Sequence, residues 1–598
     1  MTFELLAPAR NADTGIAAID CGADAVYIAG PAFGARQAAG NEVKDIERLC
    51  SYAHRFGARI FVTVNTIIFE EELPQVASLL EDLSRAGADA LIVQDLGVAE
   101  LCRRCGVTLP LHASTQCAIR TPEEARTYES LGFSRLVLER QLSLEEIRRI
   151  REAVDCELEC FVHGALCVCY SGNCYLSQAL AGRSANRGAC VQACRSRYDL
   201  TDASGKVLVR DKALLSLKDL NLSGRLQDLA GAGICSFKIE GRLKNESYVR
   251  NIVREYSLAM DALGLERASW GRVGGCFTPR PEKTFNRGYT TLYLDGKRGK
   301  WAAMDIPKSL GEYVGTVSEV FPGGFALSRA EGVVLSNGDG FTFACEGEVK
   351  GVRGDVCSGD KVYCKAVPGL RPGLKIFRNI SSEFEKDISR APGVRRLGVS
   401  VNLGISSLED KYIIDAEAVS EDGRKVALRL EESFETAGDI YRTEGMIREG
   451  LSKNALHYAF SARNISHSGE LPLLRAAWIN GLRRSLAEKL DALPCKHKPL
   501  LSRPLPSSLH TGTSATYKQN VANSLAASAY EGAEKAYELS PSADAELMRS
   551  RYCIRYELGL CPRHHGSGDN SPLLLRQGSR SLTLRFDCAR CEMTVSKS

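Results

Sequence analysis

The chain has little of what would tie it to a membrane or a fibre. No apolar run approaches the roughly 18 residues that span a bilayer. Its N-terminus, Met-Thr-Phe-Glu-Leu-Leu-Ala-Pro, has neither the basic head nor the long apolar core of a signal peptide. No membrane association is therefore expected, and a cytoplasmic location is. Charge of one sign is also scarce: 77 basic residues against 73 acidic ones leave +4, so a polyanionic partner would have to meet local patches. With 44% hydrophobic, 25% charged and 7% aromatic residues, the composition excludes a disordered chain, a collagen and a coiled coil. At roughly 150 residues per domain, 598 residues suggest about four domains.

Cysteine is abundant. Twenty-two cysteines in a reducing compartment do not make a disulfide framework, so where they cluster, metal or redox chemistry is expected.

The first 260 residues alternate short apolar runs with helical patterns. The runs are Phe3–Ala7, Ala25–Ala29, Arg59–Val64, Ala90–Val93, Leu109–Leu111, Arg135–Leu138, Leu158–Val162 and Ser236–Ile239. Gly22-Ala23-Asp24 and Gly87-Ala88-Asp89 suit helix C-caps that lead into strands. Eight such units predict a (β/α)8 TIM-like barrel. An open doubly wound sheet competes, but no Gly-x-Gly-x-x-Gly follows the first strand. Chemistry in a barrel belongs at the carboxyl ends of the strands, where Asn65, Gln94-Asp95, His112, Ser114, Gln116, Glu139-Arg140, His163, Glu240 and Arg242 stand. Any one of them could simply cap a helix; together they suggest the wall of a site.

After the seventh run a long Cys-rich insertion breaks the alternation. Cys167, Cys174, Cys190 and Cys194 are separated by six, fifteen and three residues. Four thiolates on the functional face suit an iron–sulfur cluster or structural zinc. Only the second pair has zinc-finger spacing, and spacing and placement favour iron–sulfur. Cys169 is read as a buried bystander. Arg183, Arg187, Arg195, Arg197, Lys238 and Arg242 surround the loop; part of this charge offsets the thiolates, and the rest suits an anionic substrate.

His163–Arg195 resembles the collagenase-like peptidase family U-thirty-two. So do Leu5-Leu6-Ala7-Pro8-Ala9, Gly34-Ala35-Arg36, Val62–Thr66, Val93-Gln94-Asp95, His112–Gln116, Ser216–Asp219, Lys238–Arg242 and Asn286–Thr291. Arg10 stands where the family usually has glycine. The resemblance implies an oxygen-independent hydroxylase with a 4Fe–4S cluster on Cys167, Cys174, Cys190 and Cys194. Some family members act on C5 of an RNA pyrimidine and others in quinone synthesis. In the quinone-linked branch the comparable fourth ligand is Cys235, but Cys-x3-Cys-Arg resembles the RNA-modifying branch and points to Cys194. The resemblance also implies RNA as partner, ribosomal rather than transfer RNA. A prephenate-type small molecule, serving as cosubstrate or hydroxyl donor, and an electron-transfer partner are implied as well. Arg140, Arg183 and Arg242 are candidate carboxylate clamps, Arg187 and Arg195 candidate substrate contacts, and His112, His163 and Glu240 candidate proton carriers.

The barrel is assigned to residues 1–265. Residues 266–390 are read as a connecting segment and a small β-barrel, with strands at Tyr313–Val317, Val333–Leu335, Gly340–Phe343 and Lys361–Ala366. Residues 391–494 form an α+β domain ending in a helix over Leu473–Leu490, whose Arg483, Arg484 and Lys489 suit a solvated basic face. Residues 495–518 read as an exposed linker. A helix around Val521–Glu538 then precedes a C-terminal four-cysteine metal module of Cys553, Cys561, Cys588 and Cys591. Its Cys-x2-Cys favours zinc, with a second cluster as the alternative; Tyr552–Gly559 and Phe586–Cys588 resemble the long branch of the family. Cys102/Cys105, Cys156/Cys160 and Cys345/Cys357 are read as structural.

The leading functional expectation is an iron–sulfur RNA hydroxylase acting on C5 of a pyrimidine, a cytidine of large-subunit rRNA. An aromatic C5–H bond is inert, so a redox cofactor must supply what side chains cannot. The alternatives are a peptidase, a tRNA uridine hydroxylase and an iron–sulfur accessory protein. No His-Glu-x-x-His or Gly-x-Ser-x-Gly supports the peptidase.

Overall fold

The computed structural model describes every residue except 1, 36–39, 306–307, 310, 346–347, 409–410, 534–544 and 567–568. Arg36 of the Gly34-Ala35-Arg36 motif and residues 534–538 of the expected last helix lie outside the described residues.

Seven parallel strands follow one another in chain order: β1 (Glu4–Pro8), β2 (Ala25–Ala29), β3 (Arg59–Val64), β4 (Ala90–Val93), β5 (Leu111–Ala113), β6 (Arg135–Val137) and β7 (Glu157–Ala165). The insertion after β7 contributes β8 (Tyr198–Thr201), β9 (Val207–Lys212) and β10 (Asp219–Asn221) before the last barrel strand, β11 (Ser236–Ile239). Because β11 pairs with both β1 and β7, the sheet closes into an eight-stranded barrel. Runs buried on both faces read as continuous apolar segments rather than alternating ones, which is why these strands stand out in the sequence. Five of the helices around the barrel carry ordinary N-terminal signals. Asn11, Asp95, Thr121, Ser143 and Asn245 cap helices Ala12–Asp20, Leu96–Cys105, Pro122–Ser130, Leu144–Ala153 and Glu246–Ala262.

The barrel interior is apolar in the middle, where Leu6, Ala25, Tyr27, Phe61, Ala90 and Ile92 form one buried cluster. Below it lies a charged floor. Arg135 donates to Glu4 (2.5 Å), Glu157 (2.8 Å) and Glu159 (3.2 Å), Ser236 to Glu4 (2.8 Å), and Lys238 to Glu159 (2.6 Å). Burial drives the Glu4 carboxyl up despite Arg135. Burial alone would raise Glu159 too, but Lys238 and Arg135 hold it below its ordinary value.

Beyond the barrel, seven strands between Glu312 and Ile380 form a curled antiparallel sheet around Val314, Phe325, Phe341, Phe343 and Val362. Val333–Leu335 is not one of its strands: Val334 is exposed, and its carbonyl accepts from Arg378 (2.7 Å). A second sheet pairs Pro392–Leu408 with Lys411–Ser420 and Tyr458–Ser468 and is covered by helices Ile440–Leu451 and Ala476–Asp491. Arg484 and Lys489 of the latter helix are exposed, whereas Arg483 is buried and donates to the Gly450 carbonyl.

Two expectations about the end of the chain are corrected. Residues 495–518 have little regular structure but are not simply exposed. Leu500 packs against the barrel's interior cluster, the Lys498 carbonyl accepts from Arg59, and Arg503 pairs with Glu129 at 2.8 Å. Among the described residues, the expected helix from Val521 shrinks to Ser524–Ala527. Asn520 in left-handed backbone breaks it on one side, and the backbone of Thr511 claims the Ala529 carbonyl on the other. The four strands after Met548 do not form a sheet alone, because Leu573–Gln577 pairs with β8 and through it with β9.

Candidate functional site

The Cys-rich loop lies across the carboxyl ends of the barrel strands, pinned by residues that the strand ends present. Glu139, just past β6, accepts from the Ser171 amide (2.8 Å), and Arg140 donates to the Ser171 hydroxyl (2.8 Å). Gln141 donates to the Val168 carbonyl (3.0 Å) and accepts from the Arg551 amide (2.8 Å), so the C-terminal segment is fixed by the same side chain. Tyr170 and Tyr175 donate backbone hydrogen bonds to Arg549 (3.0 Å) and Leu547 (2.8 Å). Gly172 lies directly on the strand-5 end, where a Cβ would stand 1.9 Å from the Gln116 carbonyl oxygen. At φ +77° only glycine is at ease there.

The loop keeps Cys167, Cys174, Cys190 and Cys194 in electrostatic company. Burial pushes the Cys194 thiol up to about 12; Arg195 opposes this, and Cys174, Cys167 and Cys190 add to it. The Gln192 amide donates to Cys190 Sγ at 3.4 Å, and the Ser177 hydroxyl lies 3.6 Å from it. Cys235 is elsewhere. It precedes β11 at the floor, donates to the Leu158 carbonyl (3.5 Å) and faces Glu157, Arg135 and Glu4. Cys194, not Cys235, therefore keeps company with the other three. Among the described residues no group of three Cys, His, Asp or Glu side chains is gathered tightly enough for one metal ion. A lone tetrahedral zinc needs sulfurs about 3.8 Å apart, from a Zn–S bond of ~2.3 Å. A cube takes each thiolate on a different iron and tolerates a wider set. Four thiols on one loop are donors that suit either an iron–sulfur cluster or a zinc ion.

The other expected site residues separate into two groups. Arg140 and Glu240 stand together at the mouth at 3.5 Å, with Arg140 stacked 3.8 Å from the Phe161 ring centre. Arg242 donates to Thr63 of β3 (3.1 Å) and lies over Tyr27. Arg187 and Arg195, in contrast, are committed to the protein. Arg187 grips Glu72 (2.6 and 2.8 Å) and the Ile67 carbonyl (2.8 Å). Arg195 donates to the Ser216 hydroxyl (2.7 Å) and to the Leu217 (2.6 Å) and Leu166 (2.9 Å) carbonyls. Arg183 is exposed on the loop.

Both candidate histidines are neutral. Burial lowers His163 to about 3; it packs among Tyr248, Tyr256 and Tyr289, with the Tyr256 hydroxyl 3.4 Å from Nδ1. Burial, reinforced by Arg135, Lys238 and Arg59, holds His112 far below its ordinary range. His112 lies within β5 rather than beyond it, edge-on to Phe61, and neither ring nitrogen has a hydrogen-bond partner.

The motif-based reading missed Lys244. It stands 2.9 Å above the Phe285 ring centre, and burial lowers its ammonium to about 8, with Asp219, Arg287, Glu240 and Arg195 as charged neighbours. Its closeness to Glu240 and Arg242 in sequence was the available signal. A second missed feature is the strap 517–524. Asn523 donates to the Ile68 carbonyl (2.9 Å) and to Asp95 (3.1 Å), and Asn520 donates to the Gly172 carbonyl (2.9 Å). Burial raises Asp95 to about 6.

The C-terminal cysteines also lie within electrostatic reach of one another. Cys561 adds to the burial-driven rise of both Cys553 and Cys588, and Cys591 bears on Cys588. His564 Nε2 lies 3.9 Å from Cys591 Sγ.

A closed parallel barrel roofed by a four-cysteine loop defines the class. The model described as Peptidase family U32 matches residues 10–303, and the chain belongs to that family. It is 38% identical to the 23S rRNA 5-hydroxycytidine C2501 synthase of Escherichia coli (strain K12), over 99% of this chain and 94% of that protein. It is 35% identical to tRNA hydroxylation protein P1 of Bacillus subtilis (strain 168), over 52% of this chain and 76% of that one. A collagenase of Porphyromonas gingivalis is 33% identical over 50% of this chain and 75% of its own length. The barrel half is thus shared with proteins of differing names, while the first relative matches end to end. Among the described residues no helix is long and apolar enough to cross a membrane.

Proposed function

We propose that the protein hydroxylates C5 of a pyrimidine in RNA, a cytidine of large-subunit rRNA, without molecular oxygen and with an iron–sulfur cluster. The observation that carries this reading is the roof of the barrel: four thiols from one loop held over a ring of polar strand ends, in a chain that aligns from end to end with a 5-hydroxycytidine synthase. Cys167, Cys174, Cys190 and Cys194 would hold a 4Fe–4S cluster. When bound, the cluster would relay the electrons that no side chain can take from an aromatic C–H bond, with the oxygen atom coming from a hydroxyl-donor cosubstrate and the two electrons leaving to an electron-transfer partner.

The chain's own residues do the rest. Glu139, Arg140 and Gln141 fix the loop against the barrel, so the thiols stay over the mouth. Arg140, Arg242 and Lys244 set positive charge around that mouth for a carboxylate cosubstrate of prephenate type or for RNA phosphate. Glu240, beside Arg140, is the group best placed to accept a proton there, since burial in the interior makes His112 and His163 too weakly basic to hold one. The C-terminal Cys553, Cys561, Cys588 and Cys591 would take a structural zinc or a second cluster, with zinc favoured by the Cys-x2-Cys pair.

Two measurements test this. Protein purified without oxygen should be brown and contain iron and acid-labile sulfide. RNA from cells lacking the gene should lose one hydroxylated pyrimidine by mass spectrometry; an unchanged profile overturns the reading. Gelatin cleavage that survives Cys190→Ala but not metal chelation would instead favour the peptidase.

A further inference from the structure

The mouth contains buried polar atoms that the protein leaves unsatisfied. Gln94 Oε1, Gln116 Oε1 and Asn186 Nδ2 are all shielded from solvent and have no hydrogen-bond partner. Gln94 and Asn186 are themselves 9% and 2% exposed. Natural interiors pair such groups almost without exception, because an orphaned one costs on the order of 1–3 kcal/mol. Three of them at adjacent strand ends therefore point to a ligand.

Their placement follows from the strands. Gln94 follows β4 and Gln116 lies just past β5; the two ends are joined where the Ser114 amide donates to the Val93 carbonyl (2.8 Å) and Cys117 Sγ lies 4.0 Å from the Gln94 carbonyl. On the other side of β4, the chain leaving β3 receives Asn186 from the Cys-rich loop, because the Ile67 amide donates to the Asn186 carbonyl (3.2 Å). Asn65 of that same β3 end donates to Ser114 (3.0 Å), which ties the three strand ends together. Asn186 precedes Cys190 by four residues and belongs to the same loop as the four thiols.

Thr115 Oγ1 and Arg140 Nε are unpaired at this end too, but the amide atoms are of two kinds: two acceptor oxygens on Gln94 and Gln116, and one donor on Asn186. We propose that they form a base-reading pocket that selects cytosine over uracil in a flipped-out nucleotide, an inference that rests on the RNA hydroxylase reading above. The amino group of cytosine carries two N–H bonds for the two glutamine oxygens, and its N3 and O2 accept from an amide donor such as Asn186. Uracil puts a carbonyl oxygen where the amino group was. In the orientation the glutamine amides hold here, three acceptors would then face one another in a dry pocket, so uracil could bind only if both amides turned over. Reading a flipped base by its Watson–Crick edge is the general solution for enzymes that modify a base, since the target atom is inaccessible in the stack. An uncharged pocket suits a neutral base, whereas the arginines and Lys244 suit anions.

The test uses the full-length protein loaded with its cluster and the RNA segment that mass spectrometry identifies as the natural site, synthesised with cytidine or uridine at the modified position. Wild-type protein should hydroxylate the cytidine form at least about tenfold faster. Gln94→Met and Gln116→Met, which keep chain length but remove the acceptor, should narrow that ratio by about tenfold while the visible spectrum and thermal melting stay as in wild type. A narrowed ratio is a readout that a merely structural role would not produce. A second measurement depends on no variant: cytidine 5′-monophosphate should compete with RNA hydroxylation more strongly than uridine 5′-monophosphate. Equal rates on the two RNAs, an unchanged ratio in both variants or equal competition would overturn the pocket and leave the hydroxylase reading standing. Absence of hydroxylation on either RNA by wild-type protein would bring down both.

Discussion

The two ends of the barrel solve the burial of polar groups in opposite ways. At the floor, Arg135 and Lys238 meet Glu4, Glu157 and Glu159 within 2.5–3.2 Å, and Ser236 bridges the same carboxylates. At the mouth, Gln94, Gln116 and Asn186 carry buried atoms with no partner. Both ends desolvate polar groups; the floor pairs its charges with one another, whereas the mouth pairs some of its polar side chains and leaves the amide atoms of Gln94, Gln116 and Asn186 without a partner. Charges buried in pairs hold a scaffold together, whereas polar atoms left unpaired await something else. The difference separates the structural end from the chemical one without reference to any relative.

The largest effect should come from removing a thiol at the roof. Cys190→Ala is expected to eliminate the iron and labile sulfide of the loop, and with them all detectable hydroxylation, while the barrel keeps its helical circular dichroism. Full iron content in this variant would show that the loop does not bind the cluster. Next is a break at the floor. Arg135→Met leaves three carboxylates around one lysine, and removing one partner of a buried charge network costs about 3–5 kcal/mol. A clear fall in the onset of thermal unfolding is expected, with cluster content unchanged in protein that remains folded. An onset within a degree of wild type would mean that the floor is not what holds the barrel closed.

How much of this was legible in the sequence depends on how local the cause is. The apolar runs at Ala25–Ala29, Arg59–Val64, Ala90–Val93 and Ser236–Ile239 coincide with barrel strands, because a strand covered on both faces must be apolar throughout. The fifth strand was displaced. His112 reads as a polar residue beyond its end, but the strand runs Leu111–Ala113 and buries the ring inside. Arg135 and Glu159 carry no mark of their pairing, since a charge within a strand looks the same in sequence whether it faces water or a partner. Arg187 and Arg195 looked available to a substrate until Glu72 and the Leu166, Leu217 and Ser216 acceptors came into view. Nor could the exposed reading of 495–518 anticipate Leu500 against the barrel interior, because that contact joins positions hundreds of residues apart.

Lys244 offers a sharper probe of the mouth because its charge changes in an accessible pH range. Burial, helped by Arg287 and Arg195, lowers its ammonium to about 8 against the pull of Asp219 and Glu240. It is positive below that pH and neutral above it. If it holds an anionic substrate group, kcat/KM should fall as pH rises from 7 to 9. Lys244→Gln should lower kcat/KM about tenfold at pH 7, the scale of one charge-assisted hydrogen bond, and remove the alkaline decline. A variant that keeps the wild-type profile would exclude Lys244 from substrate binding.

The smallest effect should come from an ion pair that belongs to neither end. Glu100 in helix Leu96–Cys105 accepts from Arg103 (2.6 Å) and Arg104 (2.7 Å), and these arginines bring its carboxyl down to about 2. Both arginines lie largely in water, so solvent screens the pair and its contribution stays below about 1 kcal/mol. A lowered carboxyl pKa stabilises the fold above the unfolded value near 4.3 and loses that contribution as pH falls toward 2. Glu100→Gln should therefore be slightly less stable than wild type at pH 7, and the gap should close toward pH 2. Hydroxylation at pH 7 should not change. A loss comparable to that of Arg135→Met would mean that partnered charges matter equally wherever they lie, and the contrast between the floor and the rest of the barrel would lose its force.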